Sequence, residues 1–293
     1  MGIKLTSKPT KNGRQAFAGF PLAQLGKQVS LLVQAGHKVV IVEEFKEIGS
    51  SKVKTSRRVS RIVTPGTGVD EAFVALDQSN FVLALALVDG SSLKNEIGLA
   101  YRDISTGASF TRTSKLSALR DDIRLVQPKE VVVDTRLRGS KLGDRILELL
   151  EGERVREGIM VSKVSTDAVP STSKDVPTVA ANAEAVLLSY LATTLVSTPV
   201  PSASTTHIDD ASVMHMDAVT LQSLEIRESL RGGVRGSLLG TVKRTVTPGG
   251  QRLLTERLCE YSALSLSTRA RELMVSLLRR QPLNGSLDHQ RSP

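Results

Sequence analysis

Apolar residues between positions 22 and 42 repeat first at helix spacing and then at strand spacing. From Leu22 to Ala35 they recur every three or four positions, which predicts an amphipathic helix. Gly36 is expected to end this helix, because glycine readily adopts the left-handed conformation found at helix ends. The uninterrupted apolar run Val39–Val42 then predicts a short buried strand.

The middle of the chain has the pattern of a sheet with a crossover helix. Apolar runs predict three consecutive strands, at 81–88, 97–104 and 108–113. Thr106-Gly107 is expected to form the tight turn between the last two. Ser114 is predicted to cap a helix that ends at Val126, and Lys129–Val133 follows as a buried strand rich in β-branched residues. Strands joined through a helix to a further strand are typical of an α/β sheet.

Helices and polar loops are predicted for the remainder of the chain. Segments rich in Ser, Thr and Pro predict loops at 162–178 and 197–206, with a helix at 182–195 between them. Three further helices are expected from Met216 onward. Asp217 is the predicted N-cap of the first, which should stop by Gly232-Gly233.

The last two of these helices are predicted from apolar spacing and from a start signal. The spacing of the second is carried by Leu238, Leu239 and Val242. Thr247 as cap and Pro248 at the first helical position open the third, because proline has no N–H to leave unpaired there. The predicted fold class is therefore α/β followed by an all-α segment.

Composition limits the class of protein and the kind of partner. A length of 293 residues predicts roughly two domains, and the apolar content of 40% is enough for real cores. The longest apolar stretch, Phe81–Val88, is far shorter than the roughly 18 residues of a membrane helix. The N-terminus has basic residues but no apolar segment, so it does not predict a secretory signal. The net charge of +9 favours an anionic partner such as nucleic acid.

The composition gives little support for metal or redox chemistry. The single cysteine, Cys259, excludes an intramolecular disulfide and a cysteine-cluster zinc site, and it is expected to be a core thiol. The histidines lack metal-binding spacing; they are His37, His207, His215 and His289. With six Phe, three Tyr and no Trp, a stacking platform for single-stranded nucleic acid is not expected. Any nucleic-acid contact should therefore be made to phosphates and to duplex shape.

A basic segment without acidic residues lies between positions 50 and 62. Its five cations are Lys52, Lys54, Arg57, Arg58 and Arg61. Such a run is either a solvated surface arm or a phosphate-binding strand or loop. The turn sequence Thr64-Pro65-Gly66-Thr67 follows it.

Several motifs together resemble the MutS family of DNA mismatch-repair proteins. The order Asp217-Ala218-x-Thr220-Leu221-x-x-Leu224-Glu225, and the later Arg244-Thr245-Val246-Thr247-Pro248-x-Gly250-x-Arg252-Leu253-Leu254, resemble the start of the MutS core domain. Ala18-Gly19-Phe20-Pro21 and Arg61-Ile62-Val63-Thr64-Pro65-Gly66-Thr67 are similar to the mismatch-binding domain. Tyr101-Arg102-Asp103-Ile104-Ser105-Thr106-Gly107 is similar to the connector domain, whose fold resembles RNase H.

This resemblance implies a fragment made of parts of three domains. Residues 1–72 would be a partial mixed α/β mismatch-binding domain, 73–199 an RNase H-like connector and 200–272 the start of the helical core. Residues 273–293 form a tail that does not match. Within the family, the Gly-Phe-Pro element and the basic segment most resemble fungal mitochondrial MutS homologues. This resemblance implies a mitochondrial location, with a nuclear or cytoplasmic location as the alternative, and a secreted protein is not expected.

The resemblance also implies DNA-contact residues. Gly19 and Pro21 would lie near the minor groove and Arg61 near the DNA backbone. Together with the other basic residues, the candidates are Gly19, Pro21, Lys52, Lys54, Arg57, Arg58 and Arg61. Relatives usually have Tyr-His after the proline, where this chain has Leu22-Ala23, so the minor-groove contacts are expected to differ.

The sequence departs from the family in two features. The family reads a mismatch with a Phe-x-Glu motif, and neither Phe17 nor Phe20 is followed two residues later by Glu. We therefore expect weak, phosphate-dominated DNA binding without mismatch preference. Intact members use ATP and magnesium, but this chain has no Gly-x-x-x-x-Gly-Lys-Ser/Thr loop, so no bound cofactor and no enzymatic activity are expected.

The implied partners are duplex DNA, a MutS-type dimer partner and a MutL-like protein, with no membrane. Two alternatives remain open. An RNase H-like nuclease would use paired metal ions held by acidic residues near strand ends, for which Asp89, Asp103 and Asp134 are the candidates. The other alternative is a module that only binds proteins, through the connector.

Overall fold

The computed structural model describes residues 3–11, 13–48, 53–68, 79–87, 96–165, 178–195, 204–208 and 217–259. The strands are β1 Leu5–Thr10, β2 Gly13–Ala18, β3 Val39–Ile48, β4 Val53–Val63, β5 Phe81–Ala86, β6 Glu96–Asp103, β7 Ser109–Lys115, β8 Glu130–Asp134, β9 Met160–Val164 and β10 Thr205–His207. The α-helices are α1 Leu25–Gln34, α2 Leu119–Val126, α3 Lys141–Glu157, α4 Thr178–Thr194, α5 Ala218–Ser223, α6 Leu238–Val242 and α7 Pro248–Cys259.

β1 and β2 form an antiparallel hairpin that the apolar pattern did not predict. Its register pairs Leu5 with Ala18 and Thr10 with Gly13. Gly13 adopts a φ of 108°, which glycine tolerates far better than other residues. Every residue of both strands is exposed, so the hairpin has no apolar face that a sequence pattern could reveal.

A second ribbon, β3 paired antiparallel with β4, has α1 on one face only. The predicted helix at 22–35 is confirmed as a 3-10 turn, Leu22–Gln24, followed by α1. The small core under α1 contains Val29, Val33 and Val63, with Leu25, Val39 and Ile41 packed against it. The strand predicted at Val39–Val42 is confirmed as the start of β3. Its predicted burial is wrong, because Val40 and Val42 lie on the uncovered face and are 52% and 51% exposed.

The main structural unit is a six-stranded mixed sheet with helices on both faces, and it confirms the α/β prediction. The strand order is β10-β7-β6-β5-β8-β9. β7, β6 and β5 are antiparallel neighbours, whereas β5, β8 and β9 run parallel and β10 runs parallel to β7. One core joins the sheet to α2 and α3, and a second core joins the opposite face to α4.

Three local predictions in this region are wrong. Ser114 does not cap a helix: it lies in β7 and its hydroxyl donates to the Asp122 carboxylate, while α2 begins at Leu119. Residues 162–164 belong to β9 rather than to a loop, because they pair with β8. Residues 205 and 206, also predicted as loop, belong to β10, which pairs with β7. The rest of the predicted loop at 162–178 lies almost entirely outside the described residues.

The segment from Asp217 to Cys259 is helical, as predicted, but its first helix is short. Asp217 is the N-cap, and its carboxylate accepts a hydrogen bond of 2.6 Å from the Thr220 amide, which lowers the pKa of Asp217. The helix ends after one and a half turns because Glu225 has a φ of 49°. Leu221 is buried, whereas Leu224, just after the last helical residue, is 56% exposed.

The two later helices confirm the predicted start signals. α6 contains the predicted apolar set, and the Thr247 hydroxyl accepts a hydrogen bond of 3.2 Å from the Gly250 amide at the start of α7. A small core holds these helices together, formed by Leu221, Ile226, Leu239 and Leu258, with Leu125 of α2 packed against it. The side chain of Cys259, which was predicted to be a core thiol, lies outside what the structure describes. Among the described helices, none has the length and apolar content needed to cross a membrane.

Candidate nucleic-acid interface and its attachment to the sheet

The predicted basic segment forms β4, the second strand of the β3–β4 ribbon. The strand pairing places Arg57 opposite Glu44, Arg58 opposite Glu43 and Arg61 opposite Ile41. A bulge at Ser60 separates Arg58 from Arg61, because the register shifts between Ile41 and Val42. The arginines are therefore carried by regular backbone geometry rather than by an irregular loop.

The neighbouring strand supplies acidic residues that the basic segment lacks. Arg57 Nη2 lies 3.3 Å from Glu44 Oε2, with both side chains largely exposed. The guanidinium carbon of Arg58 lies 5.6 Å from the centroid of the Phe45 ring. Because an exposed ion pair contributes only about 0.2–1 kcal/mol, Arg57 can exchange Glu44 for a phosphate at small cost.

The remaining basic candidates differ in how much of each the structure describes. Arg61 is half-buried near the core under α1, so it is less accessible than Arg57 and Arg58. Lys54 pairs with Glu47 in the β-ladder, but its side chain lies outside the described atoms. Lys52 also lies outside the described residues.

Gly19 and Pro21 lie between the β1–β2 hairpin and α1. A Cβ at Gly19 would lie 3.3 Å from the Phe17 ring, so this position is close to the hairpin's aromatic side chain. The Pro21 carbonyl accepts a 2.8 Å hydrogen bond from the Gln24 amide and so opens the 3-10 turn before α1. These two residues connect to the arginine-bearing ribbon through α1, whose apolar face packs on Val63.

Two of the three acidic residues considered for a nuclease site, Asp103 and Asp134, are used for a turn and a cap. Asp103 Oδ1 accepts from the Ser105 amide at 2.8 Å and from its hydroxyl at 2.6 Å. Asp134 caps the 3-10 turn Thr135–Leu137 by accepting from the Arg136 amide, and it pairs with the Arg136 guanidinium at 2.6 Å. Asp89 lies outside the described residues, and the described part of the chain contains no group of three or more His, Cys, Asp or Glu residues suited to a metal ion.

Sequence reasoning missed the most deeply buried carboxylate, Glu130 at the start of β8. It is fully buried and accepts hydrogen bonds from four donors. Tyr190 Oη, at 2.5 Å, and Ser162 Oγ donate to Oε1. Thr64 Oγ1, at 2.5 Å, and the Gly66 amide, at 3.3 Å, donate to Oε2. The signal was present in the sequence, because an acidic residue directly precedes the buried run 131–133.

Tyr190 acts as a permanent donor in this cluster. Burial, the negative charge of Glu130 and the hydrogen bond to that carboxylate raise the pKa of Tyr190 well above its ordinary value. The phenol therefore keeps its proton across the physiological pH range. A buried carboxylate needs such donors, because leaving it without hydrogen bonds would cost several kcal/mol, as an order of magnitude.

Comparison with known proteins places these features in a family. The profile of MutS domain I matches residues 1–72, which contain both ribbons, and the profile of MutS domain III matches residues 219–289. The DNA mismatch repair protein MutS of Rickettsia canadensis (strain McKiel) is 30% identical over 276 residues, which is 87% of the chain. The chain belongs to the MutS family. The domain III match extends beyond position 272, where the motif resemblance of the sequence ended.

Other MutS proteins align along nearly the whole chain. That of Methanothrix thermoacetophila is 30% identical over 287 residues, covering 96% of this chain and 32% of its own length. That of Nostoc punctiforme is 30% identical over 313 residues, covering 97% of this chain and 34% of its own length. The chain thus spans about a third of the length of these MutS relatives. The assignment to the fungal mitochondrial branch stays a prediction.

Proposed function

We propose that this chain is the part of a DNA mismatch-repair protein that contacts duplex DNA through the β3–β4 ribbon. One observation carries the proposal: Arg57 and Arg58 are exposed on a ribbon that lies within the segment matched by MutS domain I. Phosphate contacts by arginine supply most sequence-independent affinity for DNA. The intact protein would act as a dimer on mismatched DNA, as the family resemblance implies, and its relatives are named DNA mismatch repair proteins.

Binding by these 293 residues is proposed to be weak and indifferent to mismatches. Phe17 and Phe20 lack a following glutamate, and Phe17 packs beneath Lys8, whose Nζ lies 5.1 Å from the ring centroid. Minor-groove proteins gain from a weakened base step by inserting an apolar side chain, and neither Phe17 nor Phe20 carries the family's wedge motif. Phe45-Lys46-Glu47 has the Phe-x-Glu spacing, but it lies inside β3 and is paired with β4. The remaining contacts would be to phosphates, which are the same in matched and mismatched DNA.

The six-stranded sheet supports the assignment of a connector domain. In the part of the sheet formed by β5 to β9, the strand order is β7-β6-β5-β8-β9. β5, β6 and β7 are antiparallel neighbours, and β8 and β9 run parallel to β5. Three consecutive strands, a crossover helix and a further strand are what the sequence predicted for the connector segment, and we propose that this unit docks a MutL-like partner. The nuclease alternative is not favoured, because Asp103 and Asp134 are engaged in turns and caps.

We propose that residues 1–293 do not themselves hydrolyse ATP. The sequence contains no Gly-x-x-x-x-Gly-Lys-Ser/Thr phosphate loop, so ATP and magnesium would bind elsewhere in an intact MutS protein. A mitochondrial location is proposed on the resemblance to fungal mitochondrial homologues alone.

Titration of labelled homoduplex and mismatch duplex at two or more salt concentrations tests the proposal. We expect equal affinity for the two duplexes and a log–log salt slope no steeper than about −4.5, from at most about five phosphate contacts. A strong preference for the mismatch would contradict the argument from the missing wedge. Undetectable binding at physiological salt would instead favour a module that only binds proteins.

A further inference from the structure

The two oxygens of the Glu130 carboxylate are shared between two parts of the molecule. Oε1 accepts only from the sheet and its covering helix, through Ser162 of β9 and Tyr190 of α4. Oε2 accepts from the turn that follows β4, through Thr64 and Gly66. One side chain thus joins the end of the arginine-bearing ribbon to the centre of the six-stranded sheet.

The turn is built to lie against this carboxylate. A Cβ at Gly66 would lie 2.7 Å from Glu130 Cβ and 2.7 Å from Val82 Cγ2, so only glycine allows the backbone to approach β5 and β8 this closely. Thr64 and Thr67 are buried and are hydrogen-bonded to each other through their hydroxyls at 2.7 Å. The turn is therefore rigid as well as close.

Further contacts converge on the same place. Lys38 Nζ, just before β3, lies 5.4 Å from the centroid of the Tyr190 ring. The Asn80 amide, just before β5, donates to the Gly68 carbonyl at 3.0 Å. The attachment of the ribbon to the sheet is thus organised around Glu130 and its donors.

We propose that Glu130 is an interdomain latch that holds the β3–β4 ribbon in one orientation on the sheet. It is thereby a positioning residue for Arg57 and Arg58. Its donors on the ribbon side fix the end of β4, and β4 carries Arg57 and Arg58 seven and six residues before Thr64. The positioning role rests on the proposed DNA-binding function, whereas the latch itself does not.

A matched pair of variants separates a latch from a cluster that only stabilises the fold. Thr64→Val and Tyr190→Phe each remove one hydroxyl that lies 2.5 Å from a Glu130 oxygen. Thr64→Val leaves Oε1 with both of its donors, and Tyr190→Phe leaves Oε2 with both of its donors. Only Thr64→Val removes a donor from the ribbon side, so only this variant should release the ribbon. Circular dichroism of both variants verifies that the full chain remains folded.

The distance between the ribbon and the sheet unit can be measured without DNA. Spin labels are attached through Thr55→Cys on β4 and Arg145→Cys on α3, both exposed positions, in a chain that carries Cys259→Ser. Electron–electron double resonance should give one narrow distance distribution for the parent chain and for Tyr190→Phe. Thr64→Val should give a clearly broader one. Equally narrow distributions in all three, or a broad distribution in the parent chain, would overturn the latch.

Binding of a labelled duplex then tests the positioning role. Thr64→Val should raise the Kd for duplex DNA about tenfold. This factor corresponds to a released ribbon that is in its binding orientation in roughly one molecule in ten. The salt slope should not change, because the phosphate contacts are the same. Unchanged affinity together with a broadened distance would overturn the positioning role. If the parent chain binds no DNA, the proposed function and the positioning role fail together, and the distance distributions still decide the latch.

Discussion

Gly98 shows at the scale of one residue how closely α4 approaches the sheet. A Cβ at this position would lie 1.9 Å from the Val179 carbonyl oxygen, and a backbone atom cannot rotate away as a side chain can. Gly98→Ala should therefore destabilise the protein by about 3 kcal/mol, the upper end of the usual range for overpacking. Urea unfolding measured by circular dichroism gives this value.

Gly152 provides the control for that prediction. It lies in α3, where a Cβ would meet no atom within 4 Å. Gly152→Ala should stabilise the helix by about 0.5–1 kcal/mol, because alanine loses less backbone entropy than glycine. Equal effects of the two substitutions would mean that α4 does not lie against β6 as the structure shows.

Individual residues also show where sequence reasoning reaches its limit. The capping roles of Asp217 and Thr247 were predicted correctly, because a cap acts on the backbone two or three residues away. The partner of Ser114 was not predicted, because its hydroxyl meets Asp122 only after β7 and α2 have packed. The donors of Glu130 come from positions 64, 66, 162 and 190, so no local pattern could identify them.

At the scale of helices and strands, apolar periodicity gave the correct predictions. The elements that were missed have little apolar periodicity. β5 to β8 and α1 were predicted, since each has one or two faces in a core. The β1–β2 hairpin is exposed throughout and gave no apolar signal. α3 was missed although both its ends carry signals: Ser140 accepts from the Gly143 amide at 2.9 Å, and Gly158 has a φ of 68°.

In the β3–β4 ribbon, acidic residues of β3 lie opposite the arginines of β4. Glu44→Gln should therefore strengthen binding of duplex DNA about two- to fivefold at low salt, because it frees Arg57 and removes a charge that repels phosphate. Fluorescence anisotropy with a labelled homoduplex measures the change in Kd. The gain should shrink as salt is added.

Glu151→Gln is the matched control for this element. It breaks a comparable exposed pair, in which Arg154 Nη1 lies 3.0 Å from Glu151 Oε1, and it raises the net charge by the same amount. Because this pair is on α3, DNA affinity should stay near that of the parent chain. A gain of the same size in both variants would show that net charge, rather than the ribbon, governs binding.

At the scale of the whole molecule, both the β3–β4 ribbon and the helical segment 217–259 pack against the six-stranded sheet and its helices. The ribbon attaches through the turn at 64–67 and Glu130. The helical segment attaches through α2: Leu125 packs against its small core, and Arg227 Nη2 donates to the Leu125 carbonyl at 2.9 Å. The two attachments involve helices on opposite faces of the sheet, α4 at Glu130 and α2 at Leu125, so a change at one should leave the other in place.

Leu125→Ala tests this arrangement at the helical attachment. The side chain joins the core of α5, α6 and α7 but is only half-buried, so its truncation should weaken the docking of that core more than the sheet itself. Hydrogen exchange should show about tenfold less protection for amides in residues 221–242, corresponding to a local loss of about 1.4 kcal/mol, with little change in β5 and β8. Equal loss of protection in the sheet would instead show that the helical segment and the sheet open as one cooperative unit.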